Sequence, residues 1–371
     1  MRQNSLTGVK VLDLTRVLAG PLCTMLLGDF GADVIKIERP GSGDDTRGWG
    51  PPFDSRGESA YFLSINRNKW SVAADLDRAD DLALIARLAA TADVVVENFR
   101  PGTLEKHGIG ATALLDRHPQ LVWATITGFG EQSPRVGYDF VVQAEQGWMA
   151  ITGDPGGPPS KVGVALADII AGKDAAIAIL ATIAAQGRGA VSAAARRITI
   201  SLAHSAVAAL VNVAQNVLVT GADALRWGNA HPNLVPYQLF ETADRPVALA
   251  VGTDSQWRAC MVALELHDLA NDQSLATNAG RVTHRERLVS RLAVQFRERP
   301  AAEWILRLNA ASVPVGLVRS VREALADTPA SALTGVAPAL PGTIRYPPPL
   351  LNEHGPAIRS QGWEAFGKSS G

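Results

Sequence analysis

The chain has 371 residues, 47% of them hydrophobic and 19% charged, with a formal net charge of −1 at pH 7. That length exceeds one typical core and predicts two domains, and the composition is that of a folded rather than a disordered protein. The near-neutral charge excludes nucleic acid and anionic membrane surfaces as partners. The only two cysteines, Cys23 and Cys260, lie far apart, which excludes a zinc knuckle and fits a reducing cytoplasm.

In chain order, residues 9–14 form a strand and Ala19-Gly20-Pro21 breaks it. Pro21 then suits the first turn of a helix running to Phe30. Gly31-Ala32 closes the helix and residues 33–38 return as a parallel strand, which makes a right-handed βαβ unit. A helix over 80–92, strands over 93–98, 121–127 and 197–202, and a helix over 203–218 follow. Alternating strands and helices of this kind predict an α/β fold with a mostly parallel sheet. Beyond about residue 220 the texture changes. A hairpin over 240–251 turns at Asp244-Arg245-Pro246, and helices cover 257–266, 281–298 and 302–311, which describes a smaller α+β domain. The predicted organisation is a large domain over 1–222, a small one over 223–325, and a segment over 326–371 that returns to the large domain. Residues 1–5 are polar and start no signal-peptide core.

Local motifs are weak one by one. Gly41-Ser42-Gly43 follows a strand but no helix starts after it, so the dinucleotide fingerprint is incomplete. Arg39 and Arg47 beside that loop are candidates for touching a phosphate. Asn66-Arg67-Asn68-Lys69-Trp70 reads as a solvated basic turn, and Tyr138-Asp139 as a helix cap. Residues 98–102 sit at the C-terminal end of a parallel strand, the edge where open α/β sheets bind ligands. The histidines (His107, His118, His204, His231, His267, His284 and His354) show no ligand spacing, so no metal site is predicted. Ser201 and Ser205 lack the nucleophile elbow of a serine hydrolase.

Asp168 stands out. It follows Lys161-Val162-Gly163-Val164-Ala165-Leu166-Ala167 and precedes a small-residue apolar run over 169–185 that only Lys173-Asp174 interrupts. Those two charges and the Ala/Gly content indicate a core helix rather than a membrane span. Two readings of the carboxylate are open: an N-cap of that helix, or a nucleophile kept from water by apolar walls.

The ordered succession of segments resembles a known family. Val11-Leu12-Asp13-Leu14-Thr15-Arg16-Val17-Leu18-Ala19-Gly20-Pro21, Leu27-Gly28-Asp29-Phe30-Gly31-Ala32-Asp33 and Ile35-Lys36-Ile37-Glu38-Arg39-Pro40-Gly41 are similar to the opening of class III CoA-transferases of the formyl-CoA/carnitine type. The likeness continues through Asn66-Arg67-Asn68-Lys69, Val96-Glu97-Asn98-Phe99-Arg100-Pro101-Gly102, Gly137-Tyr138-Asp139-Phe140, Asp168 and Pro349-Leu350-Leu351-Asn352-Glu353-His354-Gly355. The resemblance implies a Rossmann-like large domain plus a small domain, an interlocked cytoplasmic homodimer, and an acyl-CoA and a free carboxylic acid as substrates. It implies no permanently bound cofactor. It places the nucleophile on Asp168 and CoA contacts on Leu18, Ala19, Arg39, Ala74, Asp75, Leu76, Asn98, Phe99, Arg100, Lys106, Tyr138 and Asp139.

Departures from the family pattern narrow the expectation. Leu18 replaces the glutamine of the formyl-CoA enzymes and their tetraglycine loop is missing, which makes formate and oxalate poor substrate choices. Asp77, with Arg78 beside it, stands where an adenine-side lysine is found. Tyr138 replaces the histidine of the α-methylacyl-CoA racemases, the alternative activity on this fold, and a non-catalytic CoA-binding protein is the other alternative. The loops at His231 and over 251–254 are expected to tune the choice of acid.

Overall fold

The computed structural model describes residues 4–368. Two compact units divide the chain. One holds the residues up to Trp148, Val162–Ala222, and those from Thr328 onward; the other holds Met149–Lys161 and Asp223–Asp327. The excursion at Met149–Lys161 interrupts the large domain expected over 1–222.

The first unit is built on a six-stranded sheet: β1 (Lys10–Leu14), β2 (Asp33–Glu38), β3 (Lys69–Ala73), β4 (Val94–Glu97), β5 (Val122–Thr127) and β6 (Arg197–Ser201). All neighbours pair in parallel in the order β3-β2-β1-β4-β5-β6. This is the doubly wound order, in which the chain reverses direction between β1 and β4 and opens a crevice at their C-terminal ends. The central strands are almost fully buried, as parallel strands covered on both faces must be. One apolar layer includes Leu12, Val95, Trp123 and the helix residues Leu84 and Leu88. The other includes Val11, Val94, Leu27, Ala171 and Ile179.

Strand β3 overturns the reading of Asn66-Arg67-Asn68-Lys69-Trp70 as a solvated turn. Lys69 is wholly buried, bonding Asp13 at 3.0 Å and the Pro21 carbonyl at 2.8 Å. Arg67 makes a buried ion pair with Asp29 at 2.7 Å. These charges are inside because each meets a partner there, which the polar pattern alone does not reveal. Arg47 departs from expectation in the same way. Its guanidinium is buried against Glu38 and Glu58, both at 2.7 Å, so it is not free to meet a phosphate.

The C-terminal residues run along β3 without becoming a strand. Arg345 and Tyr346 donate backbone N–H groups to the Asn68 side chain, Asn352 accepts from the Ala73 N–H, and the His354 N–H donates to the Ser71 carbonyl. Edge groups that would otherwise face a foreign strand are thereby used.

The second unit carries a three-stranded antiparallel sheet of β7 (Tyr237–Phe240), β8 (Val247–Ala250) and β9 (Val315–Leu317). The helices Asp254–Ala263, Arg285–Phe296 and Ala301–Ala310 enclose a core of Trp257, Phe296 and Trp304. Arg281 is buried in that core, donating to the Val235 and Leu275 carbonyls and to Asp254. Among the described residues no single helix is long and apolar enough to cross a membrane.

Candidate active site

A cavity of about 250 Å³ opens at the switch point. It is lined by the turn after β1 (Arg16, Val17, Leu18, Ala19), the turn after β4 (Asn98, Phe99, Arg100), the end of β5 with residues 133–138, and Asp168. Asp168 sits in the first turn of the 21-residue helix Leu166–Gln186, as its third residue, and is 9% exposed. The cap position is Ala165, with no side-chain cap, so the N-cap reading of Asp168 is overturned. It shares the cavity wall with Ala19, the start of the neighbouring helix Ala19–Asp29. Burial raises the Asp168 carboxyl to about 7, the charge of Asp139 adds to this, and the Ala19 N–H opposes both.

Glycine explains how the two helices come so close. A Cβ on Gly172 would lie 2.5 Å from the Ala19 carbonyl oxygen. Gly172 is four residues after Asp168 and therefore on the same helix face. The Lys173-Asp174 interruption is accounted for as well, since Lys173 is exposed and Asp174 accepts the Ser205 hydroxyl at 2.7 Å.

Asp139 does not line the cavity. It accepts the Ala167 N–H at 2.8 Å and a Gln143 amide N–H at 2.7 Å, and so caps the Asp168 helix from a neighbouring helix, Asp139–Glu145. Tyr138 precedes it, half exposed, on the cavity wall. No histidine is among the residues lining the cavity, which leaves a racemase without its usual proton donor.

The turn after β1 is held in an unusual shape. Val17 has φ +74°, a left-handed conformation that costs a β-branched residue on the order of 1–3 kcal/mol. Surrounding side chains bond its backbone. Lys36 donates to the Thr15 carbonyl at 2.7 Å, and Asn98 accepts the Arg16 N–H at 3.1 Å while donating to the Arg16 carbonyl at 2.8 Å. Asp44 accepts the Val17 N–H at 3.2 Å. Beneath the turn, Lys36 and Asp44 form an ion pair at 2.9 Å with both side chains fully buried.

A second cavity of about 410 Å³ adjoins this turn, lined by Arg16, Arg39, Ala74, Asp75, Leu76, Phe99 and Arg100 among others. It gathers half of the expected CoA-contacting residues, while Leu18, Ala19, Asn98 and Tyr138 line the first cavity. Arg39 and Arg100 are exposed, and no ion pair engages either guanidinium among the described residues. Lys106 is not brought into the cavity; its neighbour His107 is, 4.0 Å from Asp77. Arg78 is not among the residues lining the cavity, and its guanidinium lies 3.9 Å from Asp81.

Several participants escaped the sequence reading. Tyr61 is half-buried, and burial followed by the charges of Asp168, Asp139 and Asp44 lifts its hydroxyl to about 12, which keeps it neutral. Arg16, Asp44 and Lys36 also went unassigned. Lys36 had a signal: a lysine between Ile35 and Ile37 in a buried strand requires an internal partner. Among the described residues no three His, Cys, Asp or Glu side chains form a group that could hold a metal ion.

Residues 6–354 match the family described as CoA-transferase family III. The chain belongs to that family. This class III CoA-transferase is 39% identical over 374 residues to the succinyl-CoA:glutarate CoA-transferase of Mus musculus, which covers 94% of this chain and 84% of that protein. It is 40% identical over 334 residues to the succinate–glutarate CoA-transferase of Agrobacterium fabrum, covering 88% and 83%. Among solved structures it is similar to a CAIB/BAIF family protein from Brucella suis, with TM-score 0.84 at 37% identity, covering 97% and 100%. As a CoA-transferase it takes a CoA thioester as substrate.

Proposed function

We propose that this CoA-transferase moves CoA from an acyl-CoA to a free dicarboxylic acid through covalent intermediates on Asp168. The carrying observation is the buried Asp168 carboxylate at the sheet's switch point, with an open cavity before it. Its oxygen attacks the thioester carbonyl, CoA leaves as thiolate, and a mixed anhydride forms. The thiolate then attacks the Asp168 carbonyl carbon, releasing the first acid as carboxylate and leaving an aspartyl-CoA thioester. The incoming carboxylate attacks that thioester to form a second anhydride. The thiolate takes the new acyl group and frees Asp168, with no net proton change.

The two glutarate-acting relatives support a dicarboxylate acceptor. Arg39 and Arg100, free of ion pairs, suit the phosphates of CoA in the adjoining cavity. The reading includes a homodimer in the cytoplasm. In support of a second copy, the helix Val211–Thr220 buries no residue and leaves Val211, Leu218 and Val219 at least 70% exposed. The two cysteines are unpaired, as a reducing compartment favours.

The test is chemical. Incubation with succinyl-CoA should leave an adduct on the Asp168 peptide that hydroxylamine or borohydride cleaves. Asp168→Asn should lose transfer activity by several orders of magnitude while still binding CoA. Full activity in Asp168→Asn, with reversion to Asp excluded by mass spectrometry, contradicts the proposal.

A further inference from the structure

We infer that Arg16 selects dicarboxylic over monocarboxylic acids, its guanidinium receiving the far carboxylate of the acid that reacts at Asp168. The inference rests on the proposed reading of the Asp168 cavity as the acyl site. That cavity is lined by three arginines, Arg16, Arg100 and Arg135, and by the carboxylates of Asp45 and Asp168. A dicarboxylic acid brings a second negative charge into it. That charge needs one of the cations, because a carboxylate taken from water without a partner is costly.

Two of the three are otherwise engaged. Arg135 is held by Glu145 at 2.5 Å, with its guanidinium 4.0 Å from the centre of the Phe129 ring. Arg100 lines the CoA-side cavity together with Arg39 and shares its proposed role toward the phosphates. Arg16 lines both cavities and so stands where they adjoin.

Arg16 already holds a carboxylate. Its Nη1 meets Asp45 at 3.2 Å, and about half of each side chain is exposed, so the pair contributes little and can be exchanged. Its Nε and Nη2 bond nothing among the described residues, which leaves donors for a second carboxylate in the paired geometry a guanidinium favours. The residue is also a fixed base, since Asn98 bonds both its backbone N–H and its carbonyl. Leu18, two positions on, lines the same cavity with an apolar side chain suited to the methylenes between two carboxyls. A monocarboxylic acid leaves Arg16 with Asp45 and gains nothing from it.

The experiment compares glutarate with valerate, which has the same five carbons and one carboxyl, as acceptors in the full-length protein. Both receive CoA from succinyl-CoA, so any effect of a variant on the donor or on CoA cancels from the ratio of their kcat/KM values. Wild type should favour glutarate. Arg16→Met should lower that preference roughly 10- to 100-fold, and Arg16→Lys, which keeps the charge without the planar fork, should recover part of it. A binding arm needs neither turnover nor adduct. In Asp168→Asn, glutaryl-CoA should bind more tightly than valeryl-CoA by calorimetry. Adding Arg16→Met should remove that difference while the dissociation constant of free CoA stays within about threefold. Equal losses for both acids, or an unchanged preference, refute the role of Arg16 and leave Asp168 untouched. No preference for glutarate or glutaryl-CoA in the proteins that retain Arg16 refutes it as well. Absence of the Asp168 adduct in wild type removes the nucleophile reading, and the binding arm still decides Arg16.

Discussion

The carboxyl of Asp168 has opposing demands placed on it. Thioester attack needs the ionised form, yet burial and Asp139 favour the neutral one up to about pH 7. The kcat/KM for acyl-CoA should therefore climb through about pH 7 as Asp168 ionises, and a profile flat from roughly pH 5 to 8 contradicts this. The same shift appears in stability. In the unfolded chain the group ionises near its ordinary 3.8. Between that pH and about 7, folding takes up a proton, and above about 7 the folded state carries the full cost of the buried charge. Asp168→Asn removes this cost. Its gain in stability should be absent near pH 4, widen as pH rises to about 7, and level off on the order of 2–4 kcal/mol, read from denaturant unfolding. Arg39 makes a simpler prediction. An exposed guanidinium on the CoA-side cavity, with no ion pair to lose, should affect binding alone. Arg39→Ala should raise KM for the CoA ester roughly 10- to 100-fold with little change in the constant for the free acid. The opposite pattern places Arg39 in the acceptor pocket.

At the scale of elements, the site depends on two helices meeting closely. Helix Leu166–Gln186 touches the start of Ala19–Asp29 through Gly172, where a Cβ has no room beside the Ala19 carbonyl. Gly172→Ala should destabilise the protein by about 1–3 kcal/mol through overpacking. It should also lower kcat, because the displaced helix carries Asp168. A variant with unchanged melting temperature and activity contradicts the tight contact. The strands most readable in the sequence were the apolar ones: residues 93–98 and 121–127 were expected, and Val94–Glu97 and Val122–Thr127 are found. Strand β3 was missed because Lys69 carries a charge and only its partner Asp13, 56 positions earlier, makes burial tolerable. The helix expected over 203–218 is two helices, Leu202–Ala208 and Val211–Thr220, bent by 72° with Val211 at φ +41°. Apolar composition is uniform across that break, so periodicity has nothing to register.

At the scale of the whole molecule, the C-terminal residues cover the edge strand β3, which lies 277 to 279 positions earlier at Asn68 and Ala73. Asn68, Ser71 and Ala73 use them as partners for an edge strand. Deleting residues 341–371 should expose β3 and produce insoluble or aggregating protein, seen by light scattering, whereas a folded monodisperse product contradicts this role. The α/β class and the alternation of strands and helices were legible because burial on both faces demands continuous apolar runs, a property of neighbouring residues. Asp168 was legible as an exception, a lone acid at the mouth of an apolar helix. Its partners were not. The Ala19 N–H, the trans cap by Asp139, the Lys36–Asp44 pair and the strained Val17 lie on separate elements, and side-chain pattern says nothing about which backbone groups meet across a sheet edge. The sequence by itself determined the class of fold, the family likeness and the carboxylate. Only the tertiary structure decided what surrounds that carboxylate and what holds the turn beside it, because those contacts join residues of separate elements that chain folding alone brings together.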